Sequence, residues 1–163
     1  MPDSTPRRLT LLYQLWLTNQ AARNLMRQAM SASDMSGEEY ALYSYLYANG
    51  ARTLSQAARD VGMPITTLAT LLAPGTEVGE IARTAHPRDR RAKLLRLTDA
   101  GRARLERAMP AFTAGYRAVL DELASSEADV EALYVALVQL REGIEGGARR
   151  LSEEGLAPTA TAR

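Results

Sequence analysis

Arginine is the residue type with the most chemistry to offer in this sequence, and it is unevenly spread. From Arg83 to Arg107 the chain carries Arg83, Arg88, Arg90, Arg91, Lys93, Arg96, Arg102, Arg104 and Arg107 against Asp89, Asp99 and Glu106, a local charge of +6 in a protein of net charge +1. Guanidinium groups fork onto phosphate oxygens and fit narrow grooves, so this stretch suits a polyanion. Of the 20 basic residues only Lys93 is lysine. The stretch from Asp121 to Glu154 is acid-rich, and such asymmetry is a mark of nucleic-acid binders.

Catalysis has no comparable footing. An enzyme needs a nucleophile-base pair, a metal cluster or a phosphate loop, whereas this chain has one histidine, no cysteine and no glycine-rich fingerprint after a strand. The acid pairs Glu38-Glu39 and Glu153-Glu154 fall where helices begin or end, so capping or solvation explains them. His86 either touches phosphate or is solvated, and it has no second ligand to make a metal site. The expectation is no enzyme, no metal and no cofactor. The absence of cysteine also excludes disulfides and a thiol redox switch.

The arginines need an element to present them. Ile81 to Thr84 and Leu94 to Leu97 are short apolar-leaning pieces bracketing Pro87, Arg88, Asp89, Arg90 and Arg91, the pattern of a β-hairpin with a long basic loop. Leu95 and Leu97 alternate with Arg96, so one face packs on a core, and Thr98-Asp99 caps a following helix. A hairpin held between helices predicts a winged helix-turn-helix. Upstream, Thr53 or Ser55 caps a short helix through Asp60, Gly62 makes the turn, and Met63-Pro64-Ile65 opens a second helix with Pro64 in its first turn. Thr66, Thr67 and Thr70 face outward from that helix by spacing.

Here the chain resembles the MarR-type transcription regulators. The resemblance is carried by Asp89-x-Arg91, then Leu95-x-Leu97-Thr98 and Ala100-Gly101-Arg102, and extends back through Leu54-Ser55-Gln56-Ala57-Ala58 and Val61-Gly62. It implies a homodimer on a pseudo-palindromic double-stranded operator, with Thr66, Thr67, Thr70, Arg88, Arg90, Arg91 and Lys93 at the DNA, Arg91 in the minor groove, and Asp89 bracing the wing. It also implies a repressor relieved by a small aromatic or phenolic effector; Trp16, Tyr40, Tyr43 and Tyr47 are candidates to line its pocket, although core packing accounts for the same residues. The absence of cysteine removes the family's peroxide-sensing branch. The PadR type is a neighbouring alternative.

One departure bears on function. Where the family extends and decorates its recognition helix, this chain reads Ala73-Pro74-Gly75-Thr76-Glu77-Val78-Gly79, and no arginine or lysine occurs from Met63 to Ala82. A proline inside a helix costs about 3 kcal/mol, so the expectation is a helix that stops near Ala73 or kinks there. A winged-helix module that binds a ligand or a protein, with weakened DNA binding, is therefore the rival reading.

Long helices account for the rest of a mainly α fold. Leu9 to Met30 lacks proline and glycine and is apolar nearly all round at Leu11, Leu12, Tyr13, Leu15, Trp16 and Leu17. Ser36 with Glu39 is a capping box for a helix to Asn49 holding four of the seven tyrosines. From Asp99, the positions Leu105, Met109, Phe112, Tyr116, Val119 and Leu123 form a seam that Pro110 bends without ending. After a cap at Ser125-Ser126, Val130, Leu133, Leu137, Leu140 and Ile144 form another, with Gly146-Gly147 closing its best part. The organisation expected is a single domain over 1–163: dimerisation helices at 9–30 and 99–150, a winged helix-turn-helix lobe at 36–98, and flexible tails at 1–8 and 152–163. An intramolecular bundle would use the same seams. No run approaches a membrane span and the N-terminus has no signal-peptide core, which predicts a cytoplasmic protein with no membrane partner.

Overall fold

Local side-chain chemistry sets most of the element boundaries. The computed structural model describes residues 7–89, 91–123 and 127–155. α1 (Arg7–Ala29) tightens into a single 3-10 turn at Met30–Ala32. α2 (Gly37–Asn49) opens on the expected capping box, in which Ser36 Oγ accepts from the Glu39 amide at 3.2 Å and Glu39 Oε2 accepts from the Ser36 amide at 2.8 Å. α3 (Leu54–Asp60) has its own box, built from Thr53 and Gln56. It ends at Gly62, whose φ of 67° no β-branched residue tolerates cheaply. The Gly62 amide bonds the Arg59 carbonyl and the Met63 amide bonds the Ala58 carbonyl, a Schellman cap.

α4 (Ile65–Glu77) corrects the expectation of a break at Pro74. The helix continues through the proline and closes four residues later on a second Schellman cap, with Gly79 at φ 77°, its amide on the Thr76 carbonyl and the Glu80 amide on the Gly75 carbonyl. Pro74 leaves the Thr70 carbonyl without its helical donor. Thr70 and Pro74 are both exposed, so that carbonyl lies on the solvent side and is not orphaned in the core. Pro64 is the N-cap, one position before the first turn.

β2 (Ile81–Ala85) and β3 (Lys93–Leu97) form the expected wing, antiparallel with Ile81 opposite Leu97 and Ala85 opposite Lys93. A third strand was not anticipated: β1 (Arg52–Thr53) pairs with the other edge of β3, giving the order β1-β3-β2. Two residues are too few to show period-2 alternation. Ile81, Leu95 and Leu97 turn inward onto Tyr43, Leu46, Leu68 and Leu72, and this is the centre of the core.

α5 (Asp99–Leu123) continues through Pro110, as expected. Within one chain its buried face takes Leu105 and Phe112 from the predicted seam and leaves Met109 and Tyr116 outward. Gly101, Leu105, Ala108 and Gly115 are buried with Phe112 partly covered, while Met109 and Tyr116 are 46% and 47% exposed. Close approach decides this, because small residues admit neighbours that large ones exclude. A Cβ on Gly101 would lie 2.3 Å from the Glu80 carbonyl oxygen, and one on Gly115 would lie 2.8 Å from Ala29 Cβ.

The described chain packs as two units, the first ending at Arg117 and the second starting at Ala118. The first holds the core above. The second holds the last turns of α5 and then α6 (Glu127–Glu153), which continues past Gly146-Gly147 and stops at Gly155, φ 69°. The cap expected at Ser125-Ser126 lies outside the described residues, as do most of the predicted tails; Arg7 and Arg8, expected in a tail, belong to α1.

Candidate nucleic-acid interface

Helix α4 is held by its buried side, where Leu68 and Leu72 are almost fully enclosed and Gly75 touches Tyr43. The opposite side carries the expected Thr66, Thr67 and Thr70, all exposed, together with Ile65. Thr70 Oγ1 donates to the Thr66 carbonyl at 3.0 Å. A helix whose outward side chains are short presents its surface close to whatever it meets.

The wing tip is ordered by side chains bonding to backbone. His86 Nδ1 accepts from the amides of Arg88 (3.2 Å) and Asp89 (3.1 Å). Asp89 Oδ1 accepts from the Arg91 amide at 2.9 Å, and the Ala92 amide bonds the Asp89 carbonyl. His86 is thus an organiser of the tip, a role that sequence reading missed because it depends on the loop's conformation. Arg88, Arg91 and Lys93 are exposed, and among the described residues none of them, nor Arg83, forms an ion pair. Arg83, Arg91 and Lys93 border one depression of about 310 Å³ beside Thr53 and Ser55. Arg90 lies outside the described residues.

Two of the nine cations of the basic stretch are paired with carboxylates, Arg104 largely covered and Arg107 at the surface. Arg104 Nη1 lies 2.9 Å from Glu80 Oε2 and 3.4 Å from Glu39 Oε1, and its other end bonds the Asp34 carbonyl. Arg107 pairs with Asp34 at 3.4 Å. Glu80 Oε2 also accepts from the Tyr43 hydroxyl at 2.8 Å. Burial and then the Glu80 carboxylate hold the Tyr43 phenol well above its usual range. Burial pulls the Arg104 guanidinium down, and Glu80 and Glu39 outweigh it, so its affinity for the proton is raised. This node joins α2, the turn after α4 and α5. Its members are scattered from Asp34 to Arg104, so no local pattern announces it.

A single chain does not bring the four candidate effector residues together. Tyr40 stacks on Phe112 with centroids 4.5 Å apart, and Tyr43 belongs to the node just described. Trp16 is exposed and stacks on Tyr13 at 6.2 Å. Tyr47 edges a cavity of about 510 Å³ with Arg96 and Arg102. A separate cavity of about 320 Å³ lies between α1 and α2, with Met26 and Met30 on its floor and Arg23, Arg27 and Glu38 at its rim. Among the described residues there is no cluster fit for a metal ion and no helix long and apolar enough to cross a membrane.

A helix-turn-helix with a basic three-stranded wing defines a winged helix-turn-helix protein, the class that sets one helix in a groove and the wing beside it. No protein-family model matches the chain, and no curated protein matches it by sequence. Solved structures do. They include the transcriptional repressor CouR bound to a 23-mer DNA duplex, 25% identical at a TM-score of 0.70 over 80% of this chain and 92% of that one. A mutant of E. coli MarR complexed with operator DNA is 17% identical at 0.72, over 85% and 98%. BpsR of Bordetella bronchiseptica, in a structure concerned with regulation of its DNA binding by 6-hydroxynicotinic acid, is 19% identical at 0.69, over 79% and 91%. With these matches and the Asp89-x-Arg91 wing, the chain has the winged helix-turn-helix fold of the MarR-type regulators.

Proposed function

We propose that the protein is a homodimeric, sequence-specific DNA-binding transcription regulator that represses by occluding a promoter and is relieved by a small aromatic effector. The observation that carries this reading is the pairing of an exposed outward face on α4 with wing cations, Arg83, Arg88, Arg91 and Lys93, that form no ion pair among the described residues. α4 enters the major groove of double-stranded DNA, with Thr66, Thr67 and Thr70 at base edges. Arg91 reaches the minor groove, and Arg88, Arg90 and Lys93 meet phosphate, with Asp89 bracing the tip. The rival reading rested on Pro74 breaking the helix, and α4 is unbroken.

The dimer is supported by apolar side chains that one chain leaves open. Leu11, Leu12, Tyr13 and Trp16 on α1 are each more than half exposed, and Leu133, Tyr134, Leu137 and Leu151 on α6 are 47% to 62% exposed. Apolar surface of this extent marks an interface. Two-fold symmetry then matches a pseudo-palindromic operator.

For the effector, the regulation of BpsR by a hydroxylated aromatic acid supports the class of molecule. The cavity over Met26 and Met30, with arginines at its rim, suits one aromatic ring bearing a carboxylate. Such a ligand shifts DNA affinity only as far as it binds one arrangement of the lobes better than another.

The test is binding of the purified protein to its own upstream DNA at two salt concentrations, beside Arg91→Ala, with sedimentation to establish the dimer and hydroxybenzoic acids titrated in. Tight, salt-sensitive binding that weakens in the mutant supports the reading. No specific binding at either salt overturns it.

A further inference from the structure

The outward face of α4 is built of methyl groups. Ile65, at the first helical position, is 49% exposed, while the helix buries Leu68 and Leu72. Thr66, Thr67 and Thr70 are exposed beside it. Thr70 spends its hydroxyl on the Thr66 carbonyl, so its methyl is the free end. The helix contains no arginine, lysine, asparagine or glutamine, and its one charge, Glu77, is its last residue. Both strong bidentate readings, of guanine by a basic side chain and of adenine by an amide, are thereby closed to it. A half-exposed isoleucine on this face leaves apolar surface that a partner seated on α4 would cover.

In the major groove only thymine offers an apolar contact, through its C5 methyl. Resting on the reading of α4 as the recognition helix, we infer that Ile65 sets base specificity by packing on thymine methyls in an A·T-rich half-site. Thr66 and Thr67, whose hydroxyls are free among the described residues, bond the neighbouring base edges. The wing cations then supply attraction without regard to sequence, and the face of α4 supplies the choice of sequence.

The experiment selects binding duplexes from a random pool with the full-length protein, then replaces each thymine of the selected site by deoxyuridine, for the wild type and for Ile65→Ala. Uracil keeps the hydrogen-bonding edges and removes only the methyl. The expected outcome is an A·T-rich half-site in which one or two uracil replacements lower wild-type affinity about fourfold each and lower that of Ile65→Ala less than about twofold. Because Ile65 is exposed, the variant keeps its fold, which its circular dichroism will check. Enriched sites in which every uracil is silent, or in which the central contacts are G·C pairs, overturn this inference and leave the regulator reading standing. A pool with no enriched sequence overturns both.

Discussion

The Tyr43 hydroxyl occupies the space that a side chain on residue 75 would need: a Cβ built on Gly75 would lie 2.1 Å from it. Gly75 looks like a helix breaker beside a proline, yet it is the opening through which Tyr43 crosses α4 to reach Glu80. Gly75→Ala is therefore expected to destabilise the fold by about 1–3 kcal/mol, in spite of the better helix propensity of alanine. Tyr43→Phe in the same chain should recover part of the loss by removing the oxygen. Urea denaturation of the single and double variants measures both, and a Gly75→Ala protein at least as stable as the wild type would contradict the crossing.

Pro74 makes the opposite prediction. The helix already runs through it, on an exposed side. Pro74→Ala restores a donor to the Thr70 carbonyl, and stability should rise by about 1–3 kcal/mol, less whatever the proline contributes by restricting the unfolded chain. DNA affinity is expected to change little. A fall in melting temperature would show that the proline itself is needed at this position.

Two arginines of one basic stretch should behave differently under salt. Arg91→Ala removes a cation free to meet phosphate, so the slope of log affinity against log salt is expected to fall by about one. Arg104→Met strips Glu80 and Glu39 of their partner, and about 1–3 kcal/mol of stability should be lost with that slope unchanged. Equilibrium binding at four salt concentrations, with thermal melts alongside, separates the two roles.

Alkaline pH tests the two phenols that are bonded to carboxylates. Tyr45, bonded to Asp60 Oδ2 at 2.6 Å, is pushed up to about 12 by burial and by that carboxylate, and Tyr43 is raised further. A phenol whose folded pKa exceeds its unfolded value near 10 contributes stability that is complete below pH 10 and is lost as pH rises through the folded value. Stability should therefore fall from about pH 10 upward, with the Tyr45 share gone beyond about pH 12. Tyr45→Phe is expected to flatten the lower part of that fall, and tyrosinate absorbance at 295 nm follows each group directly.

The elements of this fold were legible wherever their cause is local. Ser36 with Glu39, Gly62 after Val61, the alternation of Leu95, Arg96 and Leu97, and the long proline-free α1 act over one to four residues, and each stands where sequence reasoning placed it. The resemblance to MarR-type regulators was carried by the same kind of signal: Thr98 caps α5 by accepting from the Gly101 amide, and Gly101 is small because Glu80 passes over it.

What only the tertiary structure decided depends on partners far along the chain. Tyr43 and Glu80 are 37 residues apart, and Arg104 and Glu39 are 65. Arg104 thus reads as one more surface cation until its carboxylates arrive. The two-residue β1 exists because β3 is there to pair with it. Pro74 is tolerated because the Thr70 carbonyl it leaves without a donor lies on the exposed side of α4, and Gly115 rather than Tyr116 lies on the buried face of α5 because Ala29 comes too close for a side chain there. Periodicity and capping select the elements by themselves; which face is buried, and which charge is spent inside, is settled by what the fold brings within a few ångströms.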